Sequence, residues 1–141
     1  MSHHFSKLAG IILAVVLAGA ILLSSAGCSK TNESGAAAKA VENYYTALAG
    51  QKRDQISSLV CKDWEKDALT EVDSFMGVKS EMKDMKCTAV KADETTSTVT
   101  CTGKISASYG TEITDFPLER YEFTVVKQNG DWLLCGKKQK Q

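Results

Sequence analysis

Histidine is nearly absent from this chain, which has only His3 and His4 among its 141 residues. Both precede Cys28, so the rest of the chain contains none. Histidine is the side chain most used for proton transfer near neutral pH, and Cys–His and Ser–His–Asp catalytic sets require it. The sequence after Cys28 therefore excludes both sets and leaves carboxylates and tyrosines as acid–base groups.

An excess of either charge is lacking too, because 17 Lys and Arg residues balance 17 Asp and Glu residues. Removing the first 27 residues takes away only Lys7 among the charged residues and leaves a net charge of −1. Nucleic-acid binding and polybasic attachment to anionic lipid both need a concentrated positive surface. We therefore predict no nucleic-acid partner, and attachment to a membrane must depend on something other than charge.

Motifs for cofactors and metal ions are missing as well. The sequence has no Cys-x-x-Cys pair, no acidic calcium-loop spacing and no glycine-rich phosphate loop, which are typical of zinc, calcium and nucleotide sites. We therefore predict no metal and no cofactor. The cysteines after Cys28 form an even set, Cys61, Cys87, Cys101 and Cys135. In a small exported domain an even set predicts two disulfides.

The first 27 residues have the three parts of a secretory signal. A polar start carries Lys7, an apolar run covers residues 8–23, and small residues follow at 24–27. A transmembrane helix needs about 20 apolar residues, which is more than this run supplies. We therefore predict that residues 1–27 are a signal peptide that is removed; a retained transmembrane helix is the alternative.

The end of this signal carries a more specific pattern. Ser25-Ala26-Gly27-Cys28 resembles the lipobox of bacterial lipoproteins, except that Ser25 stands where an aliphatic residue is usual. The resemblance implies cleavage before Cys28, a diacylglycerol on its sulfur and an acylated amine. Two acyl chains anchor a protein durably, so we expect a bacterial cell-envelope location, on the outer face of the cytoplasmic membrane or on the outer membrane. An ordinary signal peptide followed by a chance cysteine is the alternative.

Residues 28–36 are small and polar, and we expect them to form a lipidated tether to a domain over residues 37–141. The first half of that domain has helical periodicity. Apolar residues at i, i+3, i+4 and i+7 predict an amphipathic helix over residues 37–48; they are Val41, Tyr44, Tyr45 and Leu48. Two shorter helices are expected next, with Asp54 and Asp63 as their N-caps and Gly77 as the end of the second.

The second half of the domain changes to a period of two. Threonines alternate with apolar residues from Cys87 to Ile105, and a similar alternation runs from Tyr121 to Val125. Asn129-Gly130 is a strong hairpin signal before the final strand. Helices followed by such strands predict an α+β fold, with N-terminal helices packed on a curved antiparallel meander.

The hairpin register predicts which cysteines pair. If the first hairpin turns about Glu94, Cys87 and Cys101 lie directly opposite each other, about 4.5 to 5.5 Å apart between Cα atoms. Cys101 and Cys135 lie two strands apart, near 9.5 Å, which is too far for a disulfide. The favoured pairs are therefore Cys87–Cys101 and Cys61–Cys135.

Two segments resemble the NTF2-like (cystatin-like, α+β cone) superfamily. Residues 40–48 and 56–61 resemble its opening helices, and residues 121–126 and 129–136 resemble its closing hairpin. The resemblance covers nearly all of residues 37–136. It implies a helix cradled by a bent sheet, sometimes with a pocket at the open end of the cone.

Few residues in this frame are candidates for a site. If the cone is open, Tyr44, Tyr45 and Phe123 are the candidate pocket lining, although tyrosines on one helix face are more often core. The carboxylates Asp73, Asp84 and Asp115 are candidates for a pocket mouth, but each is more often a solvated or turn residue.

Three functions remain in view. The first is a binding module for a small apolar ligand or an envelope protein, and the second is an assembly module without a ligand. The third is an enzyme that uses carboxylates and tyrosines, which we do not expect. An open cavity lined by Tyr44, Tyr45 and Phe123 favours binding, whereas a cone filled by Trp132, Phe123 and Leu134 favours assembly.

Overall fold

Three helices lie on one side of an antiparallel sheet. The computed structural model describes residues 29–141, so the predicted signal peptide and Cys28 lie outside the described residues. The helices are α1 (Ser29–Ala49), α2 (Arg53–Leu59) and α3 (Glu65–Asp73), and the strands are β1 (Lys79–Ala92), β2 (Thr96–Tyr109), β3 (Glu112–Pro117), β4 (Tyr121–Gln128) and β5 (Asp131–Gln139). The predicted α+β fold is confirmed.

The sheet contains five strands, but two of them share one position, so the strands occupy four positions across its width. Residues 96–100 of β2 pair with residues 122–126 of β4, and residues 104–109 of β2 pair with residues 112–117 of β3. β3 and β4 therefore lie one after the other along the same edge of β2, with a short 3-10 turn at Leu118–Arg120 between them. With β1 on the other edge of β2 and β5 beside β4, the chain forms the predicted meander.

Helix α1 runs along the sheet from one end to the other. Near its start, Glu33 contacts Lys127 at the end of β4. At its finish, the carbonyl of Ala49 accepts a hydrogen bond of 2.9 Å from Ser80 Oγ at the start of β1. We call the end where α1 begins the near end, which includes the β1–β2 and β4–β5 turns. The end where α1 finishes is the far end, which includes the β2–β3 turn.

The buried face of α1 is the predicted apolar stripe. Val41, Tyr44, Tyr45 and Leu48 are each at most 2% exposed, and they pack against inward-facing strand residues such as Val99. Burying a large apolar side chain stabilises a fold by about 1.5–3 kcal/mol relative to leaving it exposed. This shared face therefore holds the helix layer on the sheet.

The helix boundaries differ from the predicted ones. Helix α1 begins at Ser29 rather than near residue 37, so most of the expected tether is helical. Asp54 lies inside the first turn of α2, Asp63 lies in a 3-10 turn, and neither acts as an N-cap. The last helix ends at Asp73, before Gly77. Tertiary contacts of α1, described below, override the weak helix preference of its polar first turns.

Both cysteine pairs follow the expected geometry. Cys87 and Cys101 are register partners in the β1–β2 hairpin, with Cα atoms 4.1 Å apart. Cys61 and Cys135 have Cα atoms 4.8 Å apart, and a disulfide joins each pair. The N–H of Cys61 donates to the carbonyl of Leu134 at 2.9 Å, which lays the segment after α2 beside β5.

Two strand features are absent from the sequence prediction. Strand β1 begins at Lys79, ahead of the alternating run at Cys87, and β3 is an additional strand. The first part of β1 is mostly exposed and rich in lysine, as edge strands often are, so its apolar alternation is weak. Within residues 29–141, no helix has both the length and the apolar character needed to cross a membrane.

Candidate functional site

The interior of the cone is filled by aromatic rings. Tyr44, Tyr45 and Phe123 are each at most 2% exposed. The ring centres of Tyr44 and Tyr45 lie 5.0 Å apart, and those of Tyr45 and Phe123 lie 5.4 Å apart, both edge to face. Trp64 closes one side, with its ring centre 5.4 Å from that of Tyr44. Edge-to-face pairs of this kind stabilise a core by about 0.5–1.5 kcal/mol beyond their burial.

The candidate pocket-lining side chains belong to this buried core. Tyr44, Tyr45 and Phe123 line neither of two surface depressions on the described chain. A shallow depression of about 540 Å³ lies over α2 and α3, and its lining includes Arg53, Lys66 and Asp73. A smaller one of about 250 Å³ lies between α1 and α2. The three aromatic side chains instead pack on one another, because mutual ring contacts bury more apolar area than a cavity wall does.

A polar network borders this aromatic core. The hydroxyl of Tyr44 donates to Glu71 Oε2 at 2.9 Å, and Lys137 Nζ donates to Glu71 Oε1 at 2.5 Å. Lys137 Nζ also lies 5.1 Å from the ring centre of Tyr121, within cation–π range. We call these four residues the Glu71 network. It joins α1, α3, β4 and β5 at one place.

Electrostatics keep the tyrosines of this region protonated. Burial is the main cause that raises the pKa of Tyr44 far above its ordinary value of 10, and the negative charge of Glu71 raises it further. Burial, followed by the charge of Glu71, also raises the pKa of Tyr45 well above 10. Both phenols therefore keep their protons near neutral pH. The Glu71 network connects the helices and strands that meet beside the aromatic core.

The predicted carboxylates do not converge on one cavity. Asp73 lines the shallow depression but pairs there with Arg53, with a nitrogen–oxygen distance of 2.6 Å. Asp115 lies on β3, paired with Lys104 and with Ser106 Oγ at 2.5 Å each. The Lys104 and Ser106 hydrogen bonds lower the pKa of Asp115. Asp84 is exposed at a bulge of β1.

A second polar cluster was missed by sequence reasoning. Glu33 Oε1 accepts from Lys127 Nζ at 2.7 Å, and Glu33 Oε2 accepts from the indole N–H of Trp132 at 2.8 Å. Lys127 Nζ lies 5.9 Å from the Trp132 ring centre. The Lys127 hydrogen bond, followed by that of Trp132, lowers the pKa of Glu33. We call these three residues the Glu33 clamp. Lys127 and Trp132 each lie more than ninety residues from Glu33 in the chain, so no local sequence pattern predicts the clamp.

Among residues 29–141, no group of three or more Cys, Asp or Glu side chains is placed to hold a metal ion. The four cysteines of this part are committed to the two disulfides. Cys28, the predicted lipidation site, lies outside the described residues.

Comparisons with known proteins bear on the fold. No family model and no curated protein sequence matches the chain. An NTF2-like protein with a cystatin-like fold from Novosphingobium aromaticivorans is similar in structure, with a TM-score of 0.56 and 10% identity over 77% of this chain and 80% of that one. A candidate scytalone dehydratase from the same organism has a TM-score of 0.54 and 17% identity over 79% of this chain and 87% of that one. The domain therefore has the NTF2-like, cystatin-like fold.

Proposed function

We propose that this chain is an exported lipoprotein, anchored to a bacterial membrane through Cys28, whose domain is a non-enzymatic binding or assembly module. Its partner is a protein of the cell envelope that contacts the outer surface of the domain. The observation that carries this proposal is the filled interior of the cone. Tyr44, Tyr45 and Phe123 are buried there, and Tyr45 packs edge to face on each of the other two rings.

Export is supported by the disulfides as well as by the signal sequence. The Cys61–Cys135 bond ties the end of α2 to β5, and the Cys87–Cys101 bond crosses the first hairpin. Disulfides of this structural kind persist in oxidising compartments and are rare in the cytosol. The domain is thus suited to the exterior of the cytoplasmic membrane, where the lipid on Cys28 holds it.

A non-enzymatic role is supported by the state of the polar groups. Glu71 borders the aromatic core, where its Oε2 accepts a hydrogen bond from Tyr44 and its Oε1 accepts one from Lys137. General acid–base catalysis needs a group that exchanges protons near the working pH, whereas the phenols of Tyr44 and Tyr45 hold theirs well above it. These contacts support a structural role for the Glu71 network, in which it joins the helices to the sheet.

The outer surface offers apolar side chains at one end of the domain. Within residues 29–141, four of the five exposed large apolar side chains belong to the β2–β3 hairpin or to the turn before β1, all toward the far end: Met76, Tyr109, Ile113 and Phe116. Ile113 is 69% exposed. Ile113 and Phe116 point to opposite faces of the sheet, because side chains alternate along a strand, and exposed apolar side chains are found on protein contact surfaces. We place the contact with the envelope partner on the face of β3 that carries Ile113.

In-cell photo-crosslinking tests this function. A benzophenone amino acid is placed at Ile113 of the full chain, with Lys62, whose exposed side chain lies on the helical side, as the matched control position. We expect crosslinks to an envelope protein from position 113 and none from position 62. We expect the crosslinks from position 113 to be lost in Cys28→Ala cells, in which the chain leaves the membrane. Recovery of a small apolar molecule from the purified protein, without crosslinks at 113, overturns the proposal in favour of a ligand-binding cone.

A further inference from the structure

The start of α1 is fixed to the sheet rather than free. Glu33 lies about 6 Å along the helix from Ser29, since an α-helix rises 1.5 Å per residue. Its carboxylate receives hydrogen bonds from Lys127 on β4 and Trp132 on β5. All three side chains are only partly exposed, and ion pairs in such positions are screened less by salt than fully exposed ones. The clamp therefore holds the first turns of α1 against the β4–β5 hairpin.

Because of this attachment, residues 29–36 do not act as a flexible tether that lets the domain move relative to its anchor. An extended chain over residues 28–36 spans about 30 Å, at about 3.3 Å per residue. In the structure these residues from Ser29 onward are helical and continuous with the core-packed part of α1. Cys28 is joined to Ser29 by a peptide bond, which keeps their Cα atoms about 3.8 Å apart. Whatever holds the chain before Ser29 therefore acts directly on the near end of the domain.

We propose that the near end of the domain rests on the bilayer, and that the Glu33 clamp fixes this orientation. The inference rests on the proposed membrane attachment through the residues before Ser29, and it holds for a lipid on Cys28 and for a retained apolar segment alike. The surface in contact with lipid comprises the start of α1, the β1–β2 turn and the β4–β5 turn. The lipid surface is its partner.

The chemistry of the near end suits a lipid–water interface. Trp132 is half-buried there and directs its indole N–H to Glu33, and tryptophan is the residue that most favours interfacial positions. Val90 is 53% exposed on the last part of β1. The charged groups are of both signs, and they include Lys91, Asp93, Glu94, Lys127 and Asp131. Charge therefore does not drive the contact, which follows from the anchor and the clamp.

The same geometry places the far end away from the membrane. Helix α1 has 21 residues, so its finish lies about 30 Å from its start. The exposed apolar side chains of the β2–β3 hairpin are thereby presented outward, where an envelope protein reaches them. A domain on a flexible tether has no such fixed presentation.

Tryptophan quenching by labelled lipid tests the orientation. The full chain, purified from bacterial membranes, is reconstituted into phosphatidylethanolamine–phosphatidylglycerol vesicles that carry a nitroxide on the lipid headgroup. Two proteins that keep the Glu33 clamp are compared: Trp64→Phe retains Trp132 alone, and the wild type contains both tryptophans. Trp64 packs on Tyr44, about 22 Å along α1 from Ser29 at 1.5 Å per residue. We expect a larger quenched fraction of the emission in Trp64→Phe than in the wild type, whose Trp64 emission the headgroup label does not reach.

A clamp variant and its control complete the experiment. Lys127→Gln removes the ion pair with Glu33, whereas Lys138→Gln removes the exposed pair with Glu122 on the same hairpin. In the Trp64→Phe background we expect Lys127→Gln to weaken the quenching of Trp132 and Lys138→Gln to leave it unchanged. An equal quenched fraction in membrane-bound wild type and Trp64→Phe overturns the orientation but not the anchoring. Protein that leaves the membrane at carbonate wash overturns both.

Discussion

The hydroxyl of Tyr44 gives a direct test of whether the cone interior is closed. Tyr44→Phe removes one oxygen that donates to Glu71 Oε2 at 2.9 Å and leaves the buried ring in place. Hydrogen bonds to charged groups contribute about 1.5–3 kcal/mol, and Glu71 retains Lys137 and some solvent exposure. We therefore expect a loss of about 2 kcal/mol in the free energy of unfolding, which lowers Tm by about 8 °C for a domain of this size.

The measurement is urea unfolding of a chain that starts at Ser29, with both disulfides intact. Tyr45→Phe is the matched control, because Tyr45 is equally buried, whereas the hydrogen bonds to Glu71 within residues 29–141 come from Tyr44 and Lys137. We expect that change to cost less than about 0.5 kcal/mol. If Tyr44 faced a water-filled cavity, water would replace it as the donor to Glu71. Equal and small effects of both substitutions would then refute the closed interior.

Three further predictions concern stability. Gly103→Ala should lower the free energy of unfolding by about 2–3 kcal/mol, because Gly103 has a φ of +94° and a Cβ there would lie 2.6 Å from the carbonyl oxygen of Lys83. Gly136→Ala is the control and should be nearly neutral in the same unfolding assay, because a Cβ at Gly136 meets no atom within 4 Å. Replacing Cys61 and Cys135 by Ala should lower the free energy of unfolding by about 4.5 kcal/mol, and replacing Cys87 and Cys101 should lower it by about 3 kcal/mol, on the chain-entropy model. The first effect is larger because the sequence separations are 74 and 14. The reverse order of the two losses contradicts this reasoning. The pKa of Glu33 is lowered in the folded state by Lys127 and Trp132, so its contribution is present above the ordinary pKa of 4.5 and is lost as the pH falls through the lowered value. Unfolding measured between neutral and acid pH should therefore show the advantage of the wild type over Glu33→Gln shrinking below pH 4.5, and an advantage that is constant with pH contradicts the clamp.

Much of the fold can be predicted from the sequence because its signals are local. The stripe of Val41, Tyr44, Tyr45 and Leu48 defines one helix face, and that face is the buried one. Alternation around Cys87 and Cys101 sets the register of the first hairpin, and the register brings those cysteines together. Period and register depend only on neighbouring residues and on backbone geometry, so they can be read without tertiary knowledge.

The remaining features depend on contacts between distant segments. The helical state of residues 29–36 relies on Glu33, whose partners Lys127 and Trp132 lie far along the chain. The Glu71 network likewise joins α1 to α3 and β5, and no spacing in the sequence predicts it. Whether the tyrosines line a pocket or fill a core depends on how the rings meet, which composition does not determine. These contacts are also the ones that decide between a ligand-binding cone and a closed one.

Mass spectrometry of the intact protein, purified from membranes of a bacterial host, tests the central claim most directly. The account predicts a chain that begins at Cys28 and carries the mass of a diacylglycerol with an acyl group on the amine. The Cys28→Ala variant should show neither the cleavage nor the added mass. A chain that still begins at Met1, or one in which the Cys28 thiol is unmodified, would contradict the account.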